Sequence, residues 1–383
     1  MTNNDTNRAA ATATNARATE GAESASPILE VSHLSMHYVS RSETVRAVQD
    51  VTFSIKRGET FGLVGESGCG KSTAARTLIR LIPETGRIVS GSITYKGRDV
   101  AKMSQRELRE VRGREIGMIF QDPMTSLNPV TPVRTQFYET LRMQGMNKQQ
   151  MHDRAIELLR LVGIPEPEAR LATYVHELSG GMRQRVMIAI ALASNPKLLL
   201  ADEPTTALDV TIQNQIICLL NDLRAQLGMS ILLVTHDLGV VNEMCDHVAV
   251  MYAGYIVEQA DTRALLHDPH HPYTFGLIRS LPSERDTRAR LDPIPGMPPN
   301  LSREIVGCPF APRCPFATKA CHAVLPEMAE VAGCAGHLVR CHHADPSDRA
   351  RVTSVAARKW LGERGLSVEK DELDAPVLSG GVA

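Results

Sequence analysis

Residues 65–72 read Gly65-Glu66-Ser67-Gly68-Cys69-Gly70-Lys71-Ser72 and fit G-x-x-x-x-G-K-[ST], the pattern of a loop whose backbone N–H groups cradle phosphates. Such a loop works between a buried strand and the start of a helix, which limits the fold around it. Both flanks have the right character. Phe61-Gly62-Leu63-Val64 reads as a short buried strand, and Ser72 to Ile82, rich in Ala, Arg and Leu, reads as a helix. The helix start adds orphan N–H groups and a positive dipole end, which favour an anion. A glycine-rich turn that binds nothing is the alternative; the flanking pattern favours a nucleoside triphosphate.

A chain of 383 residues suggests two or three domains, and 43% hydrophobic residues suffice for a sizeable core. The formal net charge of −1 gives no basic footprint, which argues against a nucleic-acid partner. No apolar run reaches the 18 or more residues of a membrane span, and the longest, Val186 to Ala193, has eight. The N-terminus lacks a basic-then-apolar export signal. The expectation is a soluble or peripheral, cytosolic protein. Eight cysteines in such a chain point to metal or redox chemistry before disulfides, and five of them lie from Cys308 to Cys341.

Residues 1–27 lack large hydrophobes after Met1 and are expected to form a disordered tail. Strands are expected over Pro27–Val31 with Leu34–Tyr38, over Val51–Ile55, as a pair within 86–97 closed by Lys96-Gly97, and over Ile116–Phe120 just before Gln121. Tyr38 could stack on a base or simply pack in its strand. Asp122 to about Asn195 has a helical pattern and reads as an insertion between two halves of a parallel sheet. The run Leu198-Leu199-Leu200-Ala201 is apolar throughout, as in a strand buried on both faces, and ends in Asp202-Glu203. Carboxylates at that end emerge where ligands bind in open α/β sheets. Asp202 suits Mg²⁺ held through water, and Glu203 suits general-base work. A second apolar strand, Ile231–Val234, delivers His236 at the same edge.

Leu178-Ser179-Gly180-Gly181-Met182-Arg183-Gln184-Arg185 resembles the signature motif of ABC ATPases and stands in the right order with the other elements. The resemblance covers roughly residues 28–345. It implies an α/β P-loop ABC ATPase domain, with an antiparallel β subdomain and a helical subdomain, plus a small Cys-rich C-terminal domain. It also implies a head-to-tail dimer with ATP sandwiched between one phosphate loop and the partner's signature. Gly65 to Thr73 and Lys71 would then hold the phosphates, Tyr38 would stack on adenine, and Ser72, Gln121 and Asp202 would serve Mg²⁺. Ser179, Gly180 and Gly181 would face the nucleotide of the other subunit, Asp209 would cross the interface, Glu203 would be the base and His236 would sense the γ-phosphate. Thr206-Ala207-Leu208-Asp209 departs from the Ser-Ala-Leu-Asp of many relatives, a change expected to matter little.

Phe120-Gln121-Asp122-Pro123, His271-Pro272-Tyr273-Thr274 and Ile294-Pro295-Gly296-Met297-Pro298-Pro299 resemble the dipeptide/oligopeptide importer branch, with its nickel and glutathione members. That implies an ATPase subunit on the cytoplasmic face of a bacterial inner membrane. Its partners would be a second ATPase, usually a paralogue, two transmembrane permease subunits and, indirectly, a periplasmic solute-binding protein. The expected division is a tail (1–27), ATPase domain (28–285, helical subdomain about 122–195), Cys-bearing region (286–345) and tail (346–383). Cys308, Cys314, Cys321 and Cys341 have the spacing C-x5-C-x6-C-x19-C, and the resemblance implies a [4Fe–4S] cluster on them. A four-thiolate Zn²⁺ site is the alternative. Cys334 reads as a spare thiol, Cys218 and Cys245 as core, and Cys69 as a small loop residue. Two rivals use the same motifs: a soluble ABC ATPase of repair or translation, and a redox sensor built on the cysteines. A single ATPase domain without a heptad array counts against the first.

Overall fold

In a computed structural model the chain is described over residues 26–206, 208–280 and 294–344. Residues 1–25 of the expected 1–27 tail, the boundary at 285/286 and the expected tail at 346–383, in which 348–361 has a helix-like pattern, lie outside the described residues. Two sheets are stacked around the phosphate loop. The smaller is antiparallel, in the order β2 (Thr44–Ile55), β1 (Leu29–Val39), β4 (Gly86–Tyr95), β5 (Arg98–Asp99). Alternation of buried and exposed residues along β1 puts Leu29, Val31, Leu34 and Met36 inside. The expected break at Ser32–His33 is a bulge within one strand, with His33 at a φ of 50°.

The larger sheet has eight strands. Its parallel part runs β9 (His247–Tyr252), β3 (Thr60–Val64), β8 (Ser230–Thr235), β7 (Leu198–Asp202), β6 (Ile116–Ile119). The strands β3, β7 and β8 are buried at every position, as continuous apolar runs dictate when both faces are covered. One face packs on the antiparallel sheet and α1 (Lys71–Leu78). The other packs on the helical subdomain, which includes α2 (Val133–Arg142), α3 (Lys148–Leu161) and α4 (Gly180–Leu192), and on α5 (Val210–Leu227). Asn147 and Gln150 form a capping box that starts α3. The first helix is shorter than expected. It stops at Leu78, and Arg80 turns left-handed (φ 51°) ahead of Pro83.

The beyond-β9 edge corrects the expectation of a separate Cys-rich domain. Strand β10 (Tyr255–Asp261) pairs antiparallel with β9, and the C-terminal segment adds β12 (Leu338–Val339) and β11 (Ala329–Glu330) to the same sheet. Phe310 belongs to the main core, and Cys308 and Cys314 pack against it. The segment 294–344 is therefore the rim of the ATPase body, not a distinct domain. Cys245 is buried as expected, but Cys218 is exposed on α5. Among the described residues no helix is long and apolar enough to cross a membrane.

Candidate functional site

The phosphate loop leaves β3 at Gly65 and enters α1 at Lys71. Gly70 takes a φ of 106°, and a Cβ there would lie 2.1 Å from the Ala47 carbonyl oxygen, so the turn admits only glycine. Lys71 Nζ donates to the carbonyls of Gly65 (2.7 Å) and Glu66 (3.0 Å), which holds the buried ammonium over the loop. Cys69 is buried, and burial pushes its thiol pKa up, so it is a packing residue and not a nucleophile. Tyr38 is half-buried on β1, with its hydroxyl 3.3 Å from Thr73 Oγ1, which places its ring beside the loop.

At the end of β7 the two carboxylates have different surroundings. Asp202 is wholly buried and accepts from Ser72 Oγ at 2.6 Å; Arg76 Nη2 lies 3.3 Å away. Burial raises its pKa, against the pull of Ser72 and Arg76 and with the help of the neighbouring Glu203. Glu203 stands at a φ of 50° and is the focus of three side chains. Gln121 Nε2 donates to it at 3.0 Å, Thr206 Oγ1 donates at 2.8 Å, and His236 Nδ1 lies 3.3 Å away. Burial pushes its pKa up, but hydrogen bonds from Thr206 and His236 and the nearby Lys71 charge more than offset that, leaving it lowered. Glu203 is thus ionised at neutral pH and aimed by fixed donors. A left-handed backbone at a glutamate is costly, and such strain gathers at working sites.

The structure brings Lys71, Ser72, Asp202, Glu203, Gln121 and His236 together through these contacts. Ser179 and Asp209 stand elsewhere. Ser179 caps α4, accepting from Met182 N at 3.3 Å, and Asp209 caps α5, accepting from Ile212 N at 3.0 Å. The two caps are neighbours, since a Cβ on Gly181 would meet Ile212 Cγ2 at 3.1 Å. Ser179 and Gly180 are exposed. Arg76 and Thr206 were not expected at this centre; Arg76 had only its place one helical turn after Ser72 as a signal.

Cys308, Cys314, Cys321 and Cys341 line one pocket with His271, Phe310 and Ala311. Cys308 N–H donates to the Cys321 carbonyl at 2.8 Å, tying the two turns together. Burial raises the thiol pKa of Cys308, and to about 12 in Cys314 and Cys341; the neighbouring thiols add to each rise. Cys334 is not part of that lining. Among the described residues no three His, Cys, Asp or Glu side chains form a ready metal-ion site.

Comparison with known proteins agrees with this geometry. Residues 48–206 match the family described as ABC transporter, and residues 257–321 match the oligopeptide/dipeptide transporter C-terminal region. A probable peptide ABC transporter ATP-binding protein of Sinorhizobium fredii is 50% identical, covering 82% of this chain and 94% of its own length. The dipeptide transport ATP-binding protein DppD of Escherichia coli is 47% identical, covering 82% of this chain and 96% of its own. Among solved structures, the dimeric post-hydrolysis state of the ATP-binding cassette MJ0796, bound to ADP and Pi, matches with a TM-score of 0.56. It is 28% identical and covers 61% of this chain and 98% of that one. The chain belongs to the ATP-binding subunits of the peptide and oligopeptide branch of ABC transporters.

Proposed function

We propose that this chain is the ATP-hydrolysing, energy-coupling subunit of a bacterial importer of dipeptides or oligopeptides. The observation that carries the reading is Glu203, an ionised carboxylate held by Gln121, Thr206 and His236 at the mouth of a phosphate loop. The loop amides from Gly65 to Thr73 and Lys71 bind the ATP phosphates, and Tyr38 stacks on the adenine. Ser72, Asp202 and Gln121 offer the hard oxygen atoms that suit Mg²⁺. When bound, that ion neutralises charge on the β- and γ-phosphates. Glu203 takes the proton of an attacking water, and His236 orients toward the γ-phosphate from the next strand end. Ser179, Gly180, Gly181 and Asp209 complete the site of a second ATPase subunit, and the helical subdomain passes closure to two permease subunits at the cytoplasmic face of the membrane. The solute arrives from a binding protein. Nickel or glutathione import uses the same machinery and differs in the membrane partners.

The division into an ATPase domain (28–285), a Cys-bearing region (286–345) and two tails is kept as the working description of the chain. The four clustered thiols support a resident group held by Cys308, Cys314, Cys321 and Cys341, which we read as [4Fe–4S], with zinc the alternative. Four cysteines around one largely apolar pocket, Cys321 buried and Cys308, Cys314 and Cys341 half-buried, fit a group bound as thiolates. Iron, acid-labile sulfide and zinc analysis of anaerobically purified protein decides between the two.

Glu203→Gln tests the base. The variant should bind MgATP and dimerise yet turn over at least about a hundredfold more slowly, as loss of a general base implies. Wild-type turnover in Glu203→Gln would remove Glu203 from the role.

A further inference from the structure

Glu66 is an awkward residue for a phosphate loop. Its carboxylate sits second in a loop built to receive a polyanion, where a free negative charge opposes binding. The structure disposes of that charge from far along the chain. Arg313, between Cys308 and Cys314, grips Glu66 with both ends of its guanidinium: Nη1 donates to Oε2 at 2.7 Å and Nη2 to Oε1 at 3.0 Å. A two-pronged pair of this kind fixes orientation as well as charge.

The remaining donors of Arg313 are also committed. Nε donates to the Pro295 carbonyl at 2.9 Å, Nη1 to the Tyr252 hydroxyl at 3.2 Å, and Nη2 to the Ile294 carbonyl at 3.2 Å. A guanidinium has five N–H donors, and all have partners, so Arg313 has no capacity left to bind nucleotide itself. Its side chain is only 5% exposed, and its guanidinium carbon lies 5.7 Å from the ring centre of Tyr252. The Glu66 N–H in turn donates to the Tyr273 hydroxyl at 2.9 Å, so backbone and side chain of Glu66 are both clamped by this rim. Arg313 N–H donates to the Phe310 carbonyl at 2.9 Å, inside the turn that carries Cys308 and Cys314.

We infer that Arg313 is a positioning residue for ATP binding: it neutralises Glu66 and draws it off the phosphate loop, making nucleotide affinity depend on the fold of the cysteine-bearing turn. The inference rests on Gly65–Ser72 being the ATP site. Arg313 acts through Glu66 and touches no reacting atom.

The test is equilibrium titration of the full chain with MgATP, in wild type, Arg313→Met, Arg313→Lys and the double variant Arg313→Met/Glu66→Gln. Arg313→Met should weaken binding about tenfold, the equivalent of 1.4 kcal/mol. Arg313→Lys keeps the charge but not the fork, and should lie between it and wild type. The double variant removes the stranded carboxylate charge and should regain most of the affinity. In the assembled complex the Arg313→Met defect should appear in KM and not in kcat. If the double variant binds as poorly as Arg313→Met, the arginine matters only for packing and the inference fails. Wild-type affinity in Arg313→Met also overturns it. Failure of the wild-type chain to bind MgATP would instead overturn the reading of the loop itself.

Discussion

The hydroxyl of Thr206 shows how much one side chain can set at this centre. It donates to Glu203 Oε2 at 2.8 Å and is the foremost interaction holding the pKa of that carboxylate down against burial. Thr206→Val keeps the shape and removes the donor, so the Glu203 pKa should rise. The acidic limb of kcat against pH should then move to higher pH, with kcat at neutral pH little changed because the carboxylate stays ionised there. An unshifted limb would show that Thr206 does not tune the base. Serine would offer the same hydroxyl, which is why the departure from Ser-Ala-Leu-Asp at this position changes no contact that can be named.

His271 supplies a second residue-scale expectation, in stability. Its side chain caps the helix Pro272–Arg279, with Nδ1 accepting from Tyr273 N at 3.1 Å, and the residue is buried. A proton there would abolish the acceptor and place a cation at the positive end of a helix. Burial lowers its pKa from 6.5 to about 4, opposed by Glu258. Between those values the unfolded chain binds a proton that the folded chain refuses, so stability falls as pH drops from 6.5 to about 4 and levels off below. The contribution is about 3 kcal/mol. His271→Asn keeps a capping acceptor without titrating and should flatten the urea midpoint across that window, leaving the part due to His270, which burial also lowers. An unchanged slope would remove His271 as its source.

Among the elements, β3, β7 and β8 were legible because each is a closed apolar run ended by its functional residue, Val64 before the loop, Asp202, and Thr235 before His236, whereas β9 was not anticipated. Helix ends were less so. The stop after Leu78 depends on a left-handed Arg80 that no local pattern announces. The contact between β6 and α4 was equally hidden, since it rests on an absent side chain. A Cβ on Gly117 would lie 2.6 Å from the Ala191 backbone oxygen, with Leu199 Cδ1 and Pro196 Cγ at 3.2 Å. Gly117→Ala must therefore push the signature helix away from the strand that positions Gln121. A loss of about 1–3 kcal/mol is expected, as for other overpacked cores. Hydrolysis should suffer more than MgATP binding, because α4 carries Ser179 and not the phosphate loop. An unchanged thermal midpoint would mean that the helix and strand are less tightly packed than these distances require.

At the scale of the whole molecule, the C-terminal segment is the part whose attachment to the ATPase body sequence reading did not show. Its attachments are long-range: Arg313 to Glu66, Arg340 to Asp50 at 2.7 Å, and Arg46 N–H to the Leu301 carbonyl at 2.9 Å. An arginine beside a cysteine carries no sign of a partner some 250 positions away, whereas cysteine spacing does carry the sign of a shared pocket. On the proposed reading the chain holds only half of what hydrolysis needs. Lys71 is buried in its loop, while Ser179 and Gly180 lie exposed on the helical subdomain, with the Ser179 side chain occupied in capping its own helix. On that reading two such chains, or this one and a paralogue, face each other so that the loop of one meets the cap of the other. The isolated chain at low concentration should therefore bind MgATP but hydrolyse it slowly. Turnover per chain should climb with protein concentration, or on addition of the partner ATPase if this chain does not pair with itself. Ser179→Arg should abolish that climb while the isolated chain still binds MgATP, since the substitution lies outside its own loop. A dilute monomer that hydrolyses as fast as the assembled complex would show instead that one chain closes the site alone.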